Sequence, residues 1–170
     1  HRNLHKPLIV FTPKSLLSRP DAVSPHREFL APSRFREVLP DPDAPAPDQV
    51  TRAVFCTGKV YYDLAACRKE RNIADTVIIR LEQIYPLARE QLTFLLAPYQ
   101  KVRDFVWCQE EPSNMGAWGH LRNRLGHLFA TSFRYAGRPP MACPAEGAKA
   151  LHAAAQKRLL AAAFGPRAQS

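Results

Sequence analysis

The stretch WCQEEPSNMGAW, residues 107–118, holds the densest set of side chains that could do chemistry. Two adjacent carboxylates, Glu110 and Glu111, end an apolar run and are followed by Asn114 and Trp118. Neighbouring residues on a strand point to opposite faces, so the two carboxylates cannot converge as an acid/base pair if the strand continues through them. One of them would still reach the crevice at the carboxyl end of a parallel strand, where α/β sheets bind ligands. We favour a structural or interface role over catalysis, and both interpretations stay open at this point.

Two cations follow glycine turns and could hold an anion. Lys59 comes after the turn CTG at the start of a predicted helix, where free backbone N–H groups attract anions. The phosphate-loop pattern GxxxxGK followed by Ser or Thr is incomplete, so a tight turn between strand and helix is the favoured interpretation. Arg138 follows a glycine at a strand end. It could clamp a carboxylate or phosphate with its planar fork, or form an internal salt bridge to the Glu110/Glu111 loop.

The bulk composition describes a globular chain of 170 residues, 46% hydrophobic and 23% charged, with a formal net charge of +9. Apolar runs far shorter than a membrane span predict a soluble protein without membrane contact. The Lys and Arg residues are scattered rather than clustered, which disfavours nucleic-acid binding. The four cysteines form no CxxC pair and the histidines no HExxH motif, so the sequence predicts no metal site.

Strand and helix patterns alternate from residue 50 onward, and they must position these side chains. Short apolar runs predict strands at 53–56, 76–81, 101–109 and 131–137. Helical periodicity between them predicts helices at 59–70, 86–99, 113–130 and 148–164. Such an alternation is typical of an open, mainly parallel α/β sheet with helices on both faces.

Several local details follow from these patterns. The first helix should bury one stripe of residues at one-turn spacing, namely Val60, Leu64 and Cys67. Its other side should expose Asp63, Arg68 and Glu70. Pro86 is a suitable first residue for the second helix, and Ser113 or Asn114 is a natural cap for the third.

Residues 1–49 form an N-terminal arm in this scheme, ahead of a domain at 50–170. A strand-like run at 8–11 precedes a short helical turn at 14–17. Prolines are frequent from residue 18 to 49, and PDPDAPAP predicts an extended linker on the surface, because proline lacks the N–H that helices and central strands need. The chain begins at His1, from which we expect a segment of a longer polypeptide.

Five motifs in order resemble the C-terminal region of 2-oxoglutarate dehydrogenase, with 2-oxoadipate dehydrogenase as a close relative. They are KPLIVFTPKSLL, FCTGKVYYDL, VIIRLEQIYPL, VWCQEEPSNMGAWGHLR and YAGRPPMACPAEGAKALH. More distantly, their layout is similar to the C-terminal domain of transketolases. That resemblance implies a three-layer α/β/α sandwich with a mostly parallel sheet.

The resemblance implies oxidative decarboxylation of 2-oxoglutarate in the tricarboxylic acid cycle, with thiamine diphosphate and Mg²⁺ as cofactors. The succinyl group would pass to the lipoyl group of the succinyltransferase component. The family's cofactor-binding GDG motif and its catalytic residues lie upstream, so no catalytic, cofactor or metal residue is assigned here and the isolated segment should be inactive. The implied location is the bacterial cytoplasm, or the mitochondrial matrix in a eukaryote.

In this family the C-terminal domain helps to build the homodimer. The resemblance therefore implies that Glu110, Glu111, Asn114 and Trp118 brace the domain against the rest of the enzyme or the second subunit. Some relatives carry an acetyl-CoA regulatory pocket near FTPKS, which makes Thr12, Lys14 and Arg27 candidate effector contacts. The alternative is a stand-alone regulatory domain that binds a nucleotide or acyl-CoA through Lys59 and Arg138.

Overall fold

The computed structural model describes residues 7, 9 and 12–166 and divides them into two compact units. The first unit extends to Ser33, and the second begins at Arg34. The strand-like run predicted at 8–11 lies outside the described residues, apart from Ile9, which has no regular structure. No helix within the described residues is both long and apolar enough to cross a membrane.

The first unit consists of short 3₁₀ turns between prolines. Its 3₁₀ helices are Lys14–Ser18 and His26–Phe29, and the first of them confirms the predicted turn at 14–17. None of the described residues up to Ser33 is buried. Several of its large apolar side chains are exposed, including Leu17, Val23 and Phe29.

The second unit is built on a five-stranded sheet. The strands are β1 (Val38–Leu39), β2 (Arg52–Cys56), β3 (Thr76–Leu81), β4 (Asp104–Pro112) and β5 (Arg134–Arg138). Their order is β1-β3-β2-β4-β5, and only β1 runs antiparallel to its neighbour. The helices are α1 (Val60–Glu70), α2 (Arg89–Leu96), α3 (Trp118–Phe129) and α4 (Lys149–Phe164).

Hydrophobic cores lie on both faces of the sheet, because successive strand residues alternate between the faces. Phe55 and Trp107 belong to the core that includes residues of α2 and α3. Val54 and Val106 belong to the core that includes residues of α1 and α4. The three-layer α/β/α prediction is thereby confirmed.

Two predicted helix starts are wrong. The second helix begins at Arg89 instead of Pro86, because residues 84–88 form a loop in which the Gln83 side chain donates to the carbonyl of Pro86. The third helix begins at Trp118, and its cap is Ala117 rather than Ser113 or Asn114. A turn precedes it, in which Gly116 adopts a φ of +64° that an L side chain rarely tolerates.

The predicted exposure of Arg68 is also wrong. Val60, Leu64 and Cys67 are buried as expected, but so is Arg68. Its guanidinium forms a two-pronged ion pair with Asp41, a residue of the proline-rich stretch that the sequence placed on the surface. Asp41 is buried and also accepts the backbone N–H of Ile78 at 2.8 Å. The stretch after β1 is therefore anchored to the sheet by its buried acid.

Candidate functional site

The carboxyl ends of β2 and β4 form the topological switch point of the sheet. From β2 the chain passes through α1 to β3 on one side, and from β4 through α3 to β5 on the other. Helices α1 and α3 pack on opposite faces, so these two strand ends flank the position at which open α/β sheets usually form a ligand-binding crevice. Lys59 follows β2 and Glu110 lies near the end of β4, which places both predicted candidates at this position.

An internal ion pair occupies this position. Lys59 Nζ lies 2.6 Å from Glu110 Oε1 and 3.3 Å from Asp63 Oδ2. Gln156 of α4 donates to the same Asp63 oxygen at 2.9 Å. Burial alone would lower the pKa of Lys59, but its hydrogen bond and charge attraction to Glu110 outweigh burial and raise that pKa. Lys59 is therefore a protonated cation held between two carboxylates.

Arg138 is engaged in the same way at the end of β5. Its side chain is only 5% exposed, and Nε donates to Glu146 Oε1 at 2.7 Å. One terminal nitrogen donates to the backbone carbonyl of Glu110, and the other lies 3.1 Å from His152 Nδ1. Arg138 thus contacts the Glu110/Glu111 loop as expected, but its carboxylate partner is Glu146 rather than either residue of that loop.

Glu110 and Glu111 diverge, because β4 continues through both of them to Pro112. The carboxylate of Glu110 meets Lys59, whereas Glu111 is exposed. The backbone carbonyl of Glu111 accepts the hydroxyl of Tyr135 at 2.9 Å. Two such carboxylates do not share a proton, so the arrangement offers no acid/base couple.

Asn114 and Trp118 fix the loop that follows β4. The Asn114 side chain donates to the Met141 carbonyl at 3.0 Å and accepts the Met141 N–H at 3.1 Å, which joins this loop to the one after β5. The Trp118 ring packs against Tyr135 with a centroid distance of 5.3 Å. Both contacts are structural within this chain.

Gln109 is the organising residue that the sequence analysis missed. It is 1% exposed, and its Oε1 accepts both Trp107 Nε1 at 2.8 Å and the Trp118 backbone N–H at 3.0 Å. Its Nε2 donates to the Met115 carbonyl at 2.8 Å. A Cβ on Gly116 would lie 2.9 Å from that Nε2. An amide inside an otherwise apolar strand was the available signal, since buried polar groups need partners.

The remaining effector candidates belong to the first unit. Thr12, Lys14 and Arg27 are all exposed there. The structure brings Lys59 to the carboxylate of Glu110 and Arg138 to the backbone carbonyl of the same residue. The other candidates, Thr12, Lys14 and Arg27, belong to a different unit. Within the part of the chain that the structure describes, no three His, Cys, Asp or Glu residues cluster as metal ligands.

Comparison with known proteins identifies the family. Residues 23–164 match the family described as 2-oxoglutarate dehydrogenase C-terminal. The chain belongs to this family. It is 45% identical over 165 residues to the 2-oxoglutarate dehydrogenase E1 component of Cupriavidus necator, which covers 96% of this chain and 17% of that protein. It is 42% identical over 166 residues to the mitochondrial 2-oxoglutarate dehydrogenase of Caenorhabditis elegans, which covers 94% of this chain and 16% of that protein.

Among solved structures, this member of the 2-oxoglutarate dehydrogenase C-terminal family is similar to a split-gene transketolase described as an inactive β4 tetramer. The TM-score is 0.52 at 13% identity, over 76% of this chain and 41% of the transketolase chain. At that identity the likeness concerns the fold alone, and it confirms the predicted transketolase C-terminal-like architecture. The chain spans about one sixth of the length of the curated relatives just named.

Proposed function

We propose that these residues form the C-terminal segment of a 2-oxoglutarate dehydrogenase E1 component. That enzyme would decarboxylate 2-oxoglutarate oxidatively and pass the succinyl group to the lipoyl group of the succinyltransferase component. The observation that carries the proposal is the extent of similarity, which runs over 94–96% of this chain but only 16–18% of each relative. The relatives include a bacterial protein and one whose name is mitochondrial. The proposed location is therefore the bacterial cytoplasm or the mitochondrial matrix.

The role proposed for this segment is assembly with the rest of the polypeptide and with a second subunit. Lys59 and Arg138 lie at the carboxyl ends of the parallel strands, which we call the carboxyl edge. Both already form internal ion pairs, which favours a rigid platform over a reacting site. Large apolar side chains meanwhile remain more than 70% exposed, including Leu17, Val23, Phe29 and Phe94. Exposed apolar surface of this kind is typical of interfaces.

The carboxyl edge does not fit a thiamine diphosphate and Mg²⁺ site. A diphosphate needs unpaired cations or free N–H groups, whereas Lys59 and Arg138 already bind carboxylates. Mg²⁺ needs clustered oxygen ligands, and the described residues offer no cluster of three ligating side chains. We therefore assign both cofactors to domains outside these residues.

The test compares two adjacent carboxylates in the intact polypeptide that contains this segment. Substrate-dependent reduction of an artificial electron acceptor should occur with 2-oxoglutarate, and 2-oxoadipate serves as the competing substrate. Glu110→Gln should lower the thermal midpoint by breaking the Lys59 ion pair while the KM for 2-oxoglutarate stays unchanged. Glu111→Gln is the matched control, because its carboxylate is exposed. A loss of kcat in Glu110→Gln at an unchanged thermal midpoint would contradict the assembly role, and absence of turnover with 2-oxoglutarate would contradict the proposed enzyme.

A second proposal is effector binding by the first unit. Thr12, Lys14 and Arg27 are exposed, and no carboxylate partner is found for Lys14 or Arg27 among the described residues. Such cations remain available to the phosphates of an acyl-CoA or a nucleotide. Calorimetric titration with acetyl-CoA and with AMP should detect binding that Lys14→Ala combined with Arg27→Ala abolishes. Binding lost instead in Lys59→Ala or Arg138→Ala would favour the stand-alone regulatory domain.

A further inference from the structure

Helix α3 carries basic charge only. Its twelve residues include His120, Arg122, Arg124 and His127 but no Asp or Glu. The buried side of the helix is formed by Leu121 and Leu125, so its polar side chains lie on the remaining surface. Helix α3 therefore adds two arginines to the positively charged chain without an acid of its own.

An open groove of about 700 Å³ lies between α3 and the segment that follows it. Arg122, Asn123 and His127 line it together with the aromatic rings of Trp118 and Phe133, and no carboxylate does. Two other cations of this unit, Arg68 and Arg138, are by contrast buried against carboxylates. Arg122 is exposed, and no hydrogen bond or ion pair is found for it within the described residues.

We propose that this groove, which we name the α3 groove, receives an acidic segment of the same polypeptide from outside these 170 residues. The inference rests on the proposed function, because it needs the longer E1 chain. An unpaired guanidinium beside two aromatic rings suits a carboxylate that neighbours an apolar side chain. His127 lies in the last turn, where the helix dipole alone favours a cation, so the argument rests on Arg122.

The occupant follows from charge and from chain length. A nucleic acid would need a row of cations for successive phosphates, whereas one guanidinium and one imidazole line the α3 groove. The relatives are about six times longer than this chain, so most of a corresponding polypeptide lies outside the structure. Attraction between a basic face and an acidic segment would fix the orientation in which the two parts dock.

The test places a photoreactive p-benzoylphenylalanine at Asn123 in the intact polypeptide. Illumination should produce an intramolecular cross-link to a segment that contains Asp or Glu, identified by mass spectrometry. Arg122→Glu should lower the cross-link yield about tenfold, because attraction becomes repulsion at a partly desolvated contact. Arg158→Glu, which reverses an exposed arginine on α4, should leave the yield unchanged.

Four results would overturn the inference. They are a cross-link to a second copy, a cross-link to another molecule such as nucleic acid, a target segment without acids, and a yield insensitive to Arg122→Glu. Turnover of 2-oxoglutarate by the same preparation separates the two proposals. A preparation that turns over but shows one of these results refutes only the α3 groove assignment, whereas absence of turnover refutes the proposed enzyme.

Discussion

Replacing Asp41 by alanine is expected to destabilise the α/β unit severely. The Asp41 side chain is 1% exposed and meets an Arg68 side chain that is 8% exposed. Alanine would leave the guanidinium buried with only the Thr76 carbonyl at 3.2 Å, and the Ile78 N–H would lose its acceptor. Breaking a buried ion pair by removing one partner costs about 3–5 kcal/mol. For a chain of this size the thermal midpoint should fall by roughly 6–20 °C.

The assay is urea unfolding followed by far-UV circular dichroism. Asp43→Ala is the matched control, because Asp43 lies two residues further on and is exposed, and its effect should stay within about 0.5 kcal/mol. The double variant Asp41→Leu with Arg68→Met should be more stable than Asp41→Ala alone, since no unpaired charge remains buried. If Asp41→Ala and Asp43→Ala unfold at the same urea concentration, the buried pair does not anchor the segment after β1.

Three further outcomes are expected from the same structure. Gln109→Leu leaves the indole N–H of Trp107 and the backbone N–H of Trp118 without acceptors, and it should lower the free energy of unfolding by about 2–5 kcal/mol. The control is Gln100→Leu at an exposed position, and an equal loss of stability there would contradict the organising role of Gln109. Burial would raise the pKa of Asp104, but hydrogen bonds from Arg134 and Arg52 outweigh it and hold that pKa below its ordinary value. The contribution of Asp104 to stability is therefore present above about pH 4 and is lost as pH falls through the lowered folded-state pKa. The difference in thermal midpoint between the unsubstituted protein and Asp104→Asn should shrink in acid. A difference independent of pH would show that the charge of Asp104 is not involved. Burial raises the pKa of the Cys56 and Cys108 thiols, so a disulfide reagent at pH 8 should label the exposed Cys143 first, and Cys143→Ser should remove that fast phase.

The alternation of strands and helices was predictable because it depends on local patterns. Val60, Leu64 and Cys67 recur at one-turn spacing, and all three are buried. The divergence of Glu110 and Glu111 at the end of β4 was equally predictable, because adjacent residues on a strand point to opposite faces. Periodicity within one element is sufficient for such predictions.

The partners of the charged residues were not predictable, because they are distant in sequence. Arg68 is buried by Asp41, which lies 27 residues earlier, and helical periodicity alone assigns it to solvent. Lys59 meets Glu110 across 51 residues, and only the parallel pairing of β2 with β4 brings them together. The predicted starts of α2 and α3 were wrong because side-chain contacts replace the expected first turns. Gln83 donates to the nearby Pro86 carbonyl, and Asn114 donates to the distant Met141 carbonyl.

The arrangement around Glu110 constrains every function proposed for the carboxyl edge. Glu110 holds Lys59 through its carboxylate and Arg138 through its carbonyl, so one residue engages both cations that an anionic ligand would need. A phosphate at this switch point would have to replace the 2.6 Å contact with Lys59 and approach the carboxylates of Glu110 and Asp63. Like charges at such distances repel in a partly buried site. The same contacts join β2, β4 and β5 at one edge, which is the property expected of a platform for other domains.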